Sequence, residues 1–380
     1  MIYFDNSATT LPRKEVVDSF TIVATKYFGN PSSLHGIGAT AEQLLSQARK
    51  QVANILDVKE QEIYFTSGGT EGNNMAIKGT AMSFRSRGKH LVVSSIEHPS
   101  VIEACEQLVT LGFEVTYVPV DSFGRVRAKD VIDAIRKDTI LVSIMHVNNE
   151  IGSIQPIEDI GRMLREYPKV LFHVDYVQGI GKVPLQIKES NIDLCTISAH
   201  KFHGLKGTGV LYVRDGVNLS PLFSGGSQER RFRSGTENVA GAVSLAKALR
   251  LTFEITYTEK QQMKQIQEYL RSELDTLDGV VVNTPINHCA PHILNFSVPK
   301  IKSEVLVHAL EDKDIYVSTT SACSSKRKAI SEVILAMTQD ESLASSSIRI
   351  SLSYENDINE AKEFILSLKS VLEKLEEVMR

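Results

Sequence analysis

Short apolar segments alternate with helical segments through the first half of the chain. Seven of the apolar segments are β-branched and nearly continuous, and they are EIYFTS, HLVVSS, VTYVPVD, ILVSIMHV, VLFHVDY, DLCTISAH and GVLYVRD. This texture is typical of strands that are buried on both faces of a sheet. Between two of them, PSVIEACEQLVTLG opens with Pro99 and Ser100 and closes with Gly112, which are start and stop signals for a helix. The repeated strand and helix order predicts an α/β domain with a mostly parallel sheet.

The pattern changes after a long helical stretch over residues 239–277. The rest of the chain has fewer, separated strands, among them ILNFSV at 293–298, and we expect two further helices there. The last helix has an apolar stripe at helical spacing with charges opposite, formed by Ile358, Ala361, Phe364, Ile365, Leu368, Leu372, Leu375 and Met379. This part of the chain predicts a second, smaller α+β domain.

Composition places the chain among ordinary globular proteins. Its 380 residues are 42% hydrophobic and 23% charged, so it can bury a full core without disulfides. The start, MIYFDNSATT, lacks the basic and apolar regions of a signal peptide, and no apolar run approaches the roughly 18 residues of a membrane span. We therefore expect a cytoplasmic protein without membrane contact. The net charge of -4 argues against a general nucleic-acid binder.

Cys323 lies in VSTTSACSSKRK at 317–328, among small and hydroxylated residues rather than in an apolar run. Because core-filling cysteines usually have apolar neighbours, this thiol is half of a disulfide, a metal ligand or a reactive group. The chain has only four cysteines and a cytoplasmic profile, which disfavours a disulfide. The one candidate metal site, His288, Cys289 and His292 in NHCAPH, lacks the second ligand pair of a structural zinc site. A polar loop is the simpler interpretation of NHCAPH.

Polar motifs stand where several of the predicted strands end. They are TSGGTEGNN, EHPS, HVNNEIG, HVDYVQG and SAHKFHG. In an open parallel sheet the ligand binds beyond the carboxyl ends of the strands. The glycines of SGGTEGN at 67–73 permit a tight turn into a helix whose first N–H groups can hold an anion. The stretch lacks the Gly-Lys-Ser/Thr ending of a nucleotide P-loop, so we expect a phosphate that does not belong to ATP.

Asp175 and Lys201 are the most informative pair of polar residues. An ionised aspartate can accept a hydrogen bond from a protonated ring nitrogen, and a lysine in the next turn can form a Schiff base. Pyridoxal phosphate requires both groups. A lone lysine is usually only solvated, but Ser198 and His200 precede Lys201 and can share a phosphate with Thr70. The sequence therefore predicts a pyridoxal phosphate site.

Ten motifs, in this order, resemble those of the NifS/IscS cysteine desulfurases, which are fold-type I pyridoxal phosphate enzymes. They are DNSATT at 5, GNPSSLH at 29, TSGGTEGNN at 66, EH at 97, MHVNNEIG at 145, HVD with Gln178, SAHKFHG at 198, RSGTEN at 233, SAC at 321 and SIRISL at 347. The resemblance covers essentially the whole chain. It implies a large cofactor-binding α/β domain over residues 15–255. Residues 1–14 and 256–380 would form the small domain, which carries the cysteine loop and a substrate-binding arginine.

The resemblance also implies roles around the cofactor. Lys201 would carry it covalently, Asp175 would pair with the pyridinium nitrogen, and His98 would stack on the ring and help to move protons. Further residues match cofactor-binding positions of the family, and they are Gly69, Thr70, Asn149, Gln178, Ser198, His200 and Thr236. Thr236 matches a threonine that reaches the phosphate of the neighbouring subunit, which implies a homodimer.

By the same resemblance, Cys323 matches the loop cysteine that attacks the sulfur of the substrate, L-cysteine. The products would be alanine and a persulfide on the enzyme. Arg349 matches the arginine that grips the substrate carboxylate, and Asn149 matches a position near the substrate. An arginine suits this task because its planar fork can donate to both carboxylate oxygens at once.

The loop around Cys323 resembles the long-loop branch of the family, because STTSACSSKRKAISEV lacks the Arg-x-Gly-His-His-Cys pattern of the compact-loop branch. Thr320 stands in a lead-in where the family often has glycine, and its branched side chain stiffens that segment. The cations at 326–328 either favour the thiolate or form a solvated face. Cys105 and Cys195 lie among apolar residues and are expected to be core fillers.

Two other classes of protein are alternatives to a cysteine desulfurase. The first is another pyridoxal phosphate enzyme of the same fold, such as an aminotransferase or a selenocysteine lyase. The second is a non-catalytic scaffold, which is disfavoured because Lys201 and Cys323 are both present. The resemblance implies three candidates for the sulfur acceptor, namely an iron–sulfur scaffold, a tRNA-thiolation enzyme and a thiamin-pathway sulfur carrier. The sequence does not distinguish these three acceptors, because each of them would receive sulfur from the same persulfide.

Overall fold

The computed structural model describes residues 1–255, 257–319 and 330–379. Thr320, Cys323 and the cations at 326–328 therefore lie outside the described residues. The strands of the described part are β1 Ile2–Tyr3, β2 Ile63–Thr66, β3 His90–Ser94, β4 Glu114–Val118, β5 Thr139–Ser143, β6 Leu171–Asp175, β7 Leu194–Ser198, β8 Gly209–Val213, β9 Val281–Val282, β10 Ile293–Ser297, β11 Ile315–Tyr316, β12 Ser318–Thr319 and β13 Ser347–Ser351.

The helices of the described part connect and cover these strands. They are α1 Lys14–Lys26, α2 Gly36–Ile55, α3 Gly69–Phe84, α4 Pro99–Thr110, α5 Ala128–Asp133, α6 Ile157–Leu164, α7 Val239–Phe253, α8 Tyr257–Leu274, α9 Ser303–Glu311, α10 Glu332–Thr338, α11 Glu341–Ser345 and α12 Ile358–Met379. None of them is long and apolar enough to cross a membrane.

A seven-stranded sheet forms the centre of the larger unit, in the order β2-β8-β7-β6-β5-β3-β4. Strands β3 to β7 pair in parallel, whereas β8 runs antiparallel to both of its neighbours. All seven predicted strands are present, which confirms the predicted α/β class with a mostly parallel sheet. Five of them, β3 and β5 to β8, are buried along their whole length, as their continuous apolar sequences predict.

Helices cover both faces of this sheet. Leu91 and Val93 of β3 pack into a cluster with apolar residues of α3 and α4. Val92, between them, packs into the opposite cluster with residues of α2, α6 and α7. Alternation along a strand sends successive side chains to opposite faces, so each strand contributes to both cores. This three-layer arrangement leaves the ends of the strands as the place where polar side chains can gather.

A smaller, antiparallel sheet lies in the C-terminal part, in the order β12-β13-β10-β9. Its apolar residues share one core with α8, α9 and α12. The N-terminal segment joins this core, because β1 pairs in parallel with β11 and the Phe4 ring packs edge-on against Phe364 at 5.8 Å between centroids. The predicted domain boundaries at residues 15 and 256 stay a prediction.

The helical stretch over 239–277 is present and consists of two helices, α7 and α8. The expected number of helices after this stretch is wrong. After α8 the described residues contain four helices instead of two, because α10 and α11 were missed. These have only 7 and 5 residues, which is too short for an apolar periodicity to be recognised. The last predicted helix is confirmed as α12.

Candidate active site

The carboxyl ends of the parallel strands open into one cavity of about 240 Å³. Ten of the residues singled out in the sequence line it, and they are Gly69, Thr70, His98, Asn149, Asp175, Gln178, Ser198, His200, Lys201 and Arg349. Nine of these lie in the large unit, whereas Arg349 comes from β13 of the small sheet. The cavity therefore lies where the two sheets meet, and the individual roles of its residues stay predictions.

Two of the predicted site residues are not part of this cavity as described. Thr236 lines a separate cavity of about 160 Å³ together with Ser67, Gly209 and Glu229. Cys323 lies outside the described residues. A single chain therefore does not bring Thr236 to the other predicted cofactor ligands.

The turn before α3 is shaped to hold an anion. Gly68 has φ of 146°, a conformation that residues with a Cβ rarely adopt. A Cβ on Gly72 would come within 2.7 Å of Thr196 Cγ2, so the first turn of the helix also lies close against β7. The helix N-terminus, with Thr70, faces the same cavity as Ser198 and His200. Unpaired N–H groups and the helix dipole favour a phosphate at this position.

Asp175, the last residue of β6, is buried and accepts hydrogen bonds on both carboxylate oxygens. The Val177 backbone N–H donates to Oδ1 at 2.9 Å, and Asn73 Nδ2 donates to Oδ2 at 2.7 Å. These two donors fix the plane of the carboxylate. Asn73 lies within TSGGTEGNN, but its contact with Asp175 was not predicted.

Lys201 reaches the cavity from the 3₁₀ helix Ala199–Lys201, directly after β7. Its ammonium donates to the backbone carbonyls of Ser7 and Ala8, the latter at 2.8 Å. Gln178 Nε2 also donates to the Ser7 carbonyl, at 3.0 Å. The DNSATT segment therefore holds the lysine side chain in position, which is a role that the sequence did not reveal.

His98 precedes α4 and caps its N-terminus. The Ser100 backbone N–H donates to His98 Nδ1 at 3.1 Å, and Ser100 Oγ lies 2.8 Å from the same nitrogen. Burial lowers the pKa of His98, and the charge of Lys201 lowers it further, while Asp175 opposes both. The imidazole is therefore neutral at physiological pH.

His200 is the second histidine of the cavity. Burial lowers its pKa to about 4, with Lys201 as the next cause. Its Nδ1 lies 3.3 Å from Thr9 Oγ1. A neutral imidazole can donate a hydrogen bond to a phosphate without bringing a positive charge.

Arg349 has a side chain that is only 4% exposed. Its Nη2 donates to Asp5 Oδ1 at 2.9 Å and its Nη1 donates to the Asn149 carbonyl at 2.9 Å. The Nε–H is buried and has no hydrogen-bond partner among the residues that the structure describes. Because an unsatisfied donor on a charged, buried group is costly, this nitrogen is a natural contact for an anionic ligand.

Tyr176 follows Asp175 directly, and its large side chain is buried. Its hydroxyl donates to the Val183 carbonyl at 2.8 Å, and its ring lies edge-on to His146 at 5.0 Å. A Cβ on Gly179 would come within 2.2 Å of His146 Nδ1 and 2.7 Å of the tyrosine ring. The glycine therefore leaves room for the larger side chain.

The donor set of the cavity fits pyridoxal phosphate. A fixed carboxylate suits a protonated ring nitrogen, an amine suits an aldehyde carbon, and the start of α3 suits a phosphate. Four buried polar atoms of cavity-lining residues have no hydrogen-bond partner among the described residues, namely Ser7 Oγ, Asn73 Oδ1, Gln178 Oε1 and Arg349 Nε. Buried polar atoms are rarely left unsatisfied, so a polar ligand is expected at this site.

Comparisons with known proteins show the family to which the chain belongs. The aminotransferase class-V family matches residues 2–364. A NifS/IcsS protein homolog of Lactobacillus delbrueckii subsp. bulgaricus is 47% identical over 380 residues, which is 100% of this chain and 99% of the relative. The chain belongs to the NifS/IscS cysteine desulfurases of the class-V aminotransferase family. Cysteine desulfurase IscS of Methanosarcina thermophila is 44% identical over 375 residues, which is 98% of this NifS/IscS chain and 92% of the relative.

Solved structures support the same conclusion. A NifS-like protein matches with a TM-score of 0.92 at 39% identity, over 98% of this chain and 99% of its own. A structure described as SspA in complex with cysteine matches with a TM-score of 0.83 at 34% identity, over 93% and 99% of the two chains. The predicted family, the fold class, the dependence on pyridoxal phosphate and the assignment as a cysteine desulfurase are thereby confirmed.

The described cysteines of this NifS/IscS enzyme lie away from the cavity. Cys105 and Cys195 are buried in the two cores of the large unit, as predicted for core fillers. Burial raises the pKa of the Cys105 thiol to about 12 and that of Cys195 well above its ordinary value. Cys289 pairs through its backbone with Ser153. Within residues 1–255, 257–319 and 330–379 no group of three or more His, Cys, Asp or Glu can hold a metal ion.

Proposed function

We propose that this enzyme removes sulfur from L-cysteine, leaves L-alanine, and holds the sulfur as a persulfide on Cys323 before an acceptor protein takes it. The observation that supports this most is the cavity that combines Lys201, Asp175 and an anion-binding turn with an arginine from the other sheet. An amino acid bound between these groups has its carboxylate and its amine recognised separately.

The cofactor would be held at three points. Lys201 would bind it covalently through the amine, and Asp175 would accept a hydrogen bond from the ring nitrogen. The phosphate would receive donors from the start of α3, including Gly69 and Thr70, and from Ser198 and His200. Gln178 and Asn149 would complete its surroundings. Bound pyridoxal phosphate supplies an electron sink, which accepts the electron pair released when a bond to the substrate α carbon breaks.

Arg349 would bind the substrate carboxylate. Within the described part of the chain its Nε–H has no partner, whereas two of its other donors already contact Asp5 and the Asn149 carbonyl. These contacts hold the guanidinium plane, so little side-chain entropy is lost when the carboxylate binds. Asp5 also neutralises the buried cation while no substrate is present.

The α proton of the substrate must be taken by a base. The cavity offers Lys201 and two histidines, His98 and His200. His200 belongs to the phosphate end of the cavity, beside Ser198 and Thr70. Lys201 and His98 are therefore the candidates for this proton transfer.

Cys323 would carry out the sulfur transfer. Its thiolate attacks the sulfur of the substrate, a new S–S bond forms, and the C–S bond breaks. The electron pair of that bond stays on the carbon side, where a proton is added to give alanine. The enzyme keeps a persulfide, so no external oxidant or reductant is needed.

A homodimer would complete the site. Thr236 lies in a separate cavity of its own chain, so it can reach a phosphate ligand position only in another copy. Seven large hydrophobic side chains between residues 11 and 37 are exposed in the single chain, and they are Leu11, Val17, Ile22, Tyr27, Phe28, Leu34 and Ile37. Exposed apolar groups of this kind are typical of surfaces that a partner covers.

The acceptor would be a protein that takes sulfur from the persulfide. An iron–sulfur scaffold, a tRNA-thiolation enzyme and a thiamin-pathway carrier share this requirement. We place this reaction in the reducing cytoplasm, where a free persulfide-forming thiol is chemically available.

Turnover of L-cysteine tests the proposed function. The purified enzyme, supplied with pyridoxal phosphate and a thiol reductant, should release alanine and sulfide in equal amounts. Lys201→Ala should abolish both products, whereas Lys206→Ala, an exposed lysine five residues later, should retain them. Transfer of the amino group to a keto acid without sulfide would instead indicate an aminotransferase.

A further inference from the structure

An unbroken series of hydrogen-bonded side chains runs from Asp175 through Asn73 and Ser100 to His98. Asn73 Nδ2 lies 2.7 Å from Asp175 Oδ2 and 2.8 Å from Ser100 Oγ. Ser100 Oγ in turn lies 2.8 Å from His98 Nδ1. The series therefore connects the carboxylate expected at the cofactor's ring nitrogen with the histidine expected to lie against the ring.

The positions of the hydrogens in this series follow from the chemistry of the groups. An ionised carboxylate only accepts, so Asn73 must turn its NH₂ group towards Asp175. That group has two hydrogens, and the second one goes to Ser100 Oγ. The serine hydroxyl has a single hydrogen, which is then directed at His98 Nδ1. The Ser100 backbone N–H also donates to Nδ1, so this nitrogen accepts twice and carries no hydrogen.

We propose that this series holds His98 as the neutral tautomer protonated on Nε2, which makes the ring a fixed hydrogen-bond donor rather than a proton acceptor. Asn73 and Ser100 are positioning residues in this arrangement, because they act through His98. The inference deepens the proposed function and rests on it in one respect: Lys201 is left as the base that takes the α proton of the substrate.

Three features of the surroundings support this assignment. The lone pair of Nδ1 is occupied by donors, one of them a backbone N–H that cannot rotate away. Burial lowers the pKa of His98, which disfavours the doubly protonated ring. His98 also lies at the N-terminus of α4, where the helix dipole disfavours a positive charge. Of the charged groups that act on it, Lys201 opposes a positive charge and Asp175 favours one.

Nitrogen-15 NMR of the holoenzyme, labelled only in histidine, tests the tautomer directly. The chain has ten histidines, so His98→Gln is used to assign the resonances of His98. We expect Nδ1 at the chemical shift of an unprotonated nitrogen and Nε2 at that of a protonated one. A protonated Nδ1, or an imidazolium pattern at neutral pH, would overturn the proposal. These chemical shifts are measured without substrate turnover, so the result does not depend on whether the protein desulfurates cysteine.

Variants test the two positioning residues. Asn73→Ala removes the donor that turns the serine hydroxyl towards His98, and Ser100→Ala removes the hydroxyl itself. In both we expect the Nδ1 resonance to move towards that of a nitrogen with weaker hydrogen bonds. Asn74→Ala is the matched control, because its amide group donates to the carbonyls of Thr70 and Ser100 and should leave the resonance in place. An unmoved Nδ1 resonance in folded Asn73→Ala would overturn the role of Asn73.

Discussion

The Arg349 guanidinium donates to the Asp5 carboxylate at 2.9 Å, although the two residues lie 344 positions apart in the chain. The substrate carboxylate would therefore meet an arginine that already has a counter-ion and is already oriented. Asp5 reaches this place because the N-terminal segment is built into the small unit, where its backbone pairs with Ser351. The N-terminal segment would thus be part of the proposed substrate site.

Arg349→Lys should raise the KM for L-cysteine about thirtyfold, which corresponds to about 2 kcal/mol. Lysine keeps the charge but loses the buried Nε–H and the planar fork that can contact two oxygens. Steady-state kinetics of alanine release measures the effect, and thermal unfolding checks that the fold is intact. Arg271→Lys is a matched control, because Arg271 also donates to backbone carbonyls of the small unit but lies outside the cavity. An unchanged KM for Arg349→Lys would place the carboxylate contact elsewhere.

Glu71→Gln should weaken the binding of pyridoxal phosphate about tenfold. Glu71 accepts from Arg233 Nε at 2.8 Å and from the Ser67 backbone N–H at 2.7 Å, so it joins the anion-binding turn to the segment that carries Thr236. The glutamine keeps an acceptor for Ser67 but loses the charge that holds Arg233. Titration of cofactor-free protein, followed by the absorbance of bound cofactor, gives the affinity.

The control for Glu71→Gln is an ion pair on the surface. Asp159→Asn breaks the exposed pair between Asp159 and Arg162, and exposed pairs contribute little to stability. Its cofactor affinity should equal that of the unaltered enzyme. If Glu71→Gln also binds the cofactor with unaltered affinity, the link between the turn and the Thr236 segment has no role in cofactor binding.

Mixing two inactive variants should restore activity if Thr236 serves the neighbouring subunit. In a heterodimer of Lys201→Ala and Thr236→Ala chains, one shared site carries both lesions and the other carries neither. Alanine release should then recover after subunit exchange. The control is a mixture of Lys201→Ala and Asp175→Ala chains. Both residues line the same cavity of one chain, so each chain of this heterodimer has a damaged site of its own and no intact site is formed. Proven exchange without recovered activity would count against a shared site.

The sequence could predict those parts of the site that follow from local order. Asp175 is the last residue of β6 and Lys201 follows the neighbouring parallel strand β7, so the rule for strand ends brings them together. The contact between Asn73 and Asp175 depends on how α3 packs across the sheet. The pairing of Arg349 with Asp5 depends on the N-terminal segment joining the small unit. Neither contact follows from the spacing of these residues along the chain. All four residues lie in motifs that the sequence analysis recognised, but their contacts with each other are visible only in the structure.

The central claim is that Cys323 carries the sulfur, and mapping of the persulfide by mass spectrometry tests it most directly. The enzyme is incubated with L-cysteine, its persulfide is alkylated, and the modified peptide is identified. We predict the modification on the peptide that contains Cys323, both in the unaltered enzyme and in the control variant Cys289→Ser. Cys323→Ser should show the absorbance change caused by cysteine binding but form no persulfide and release no alanine, because serine cannot hold the sulfur. A persulfide on the Cys289 peptide, or full turnover by Cys323→Ser, would contradict the account.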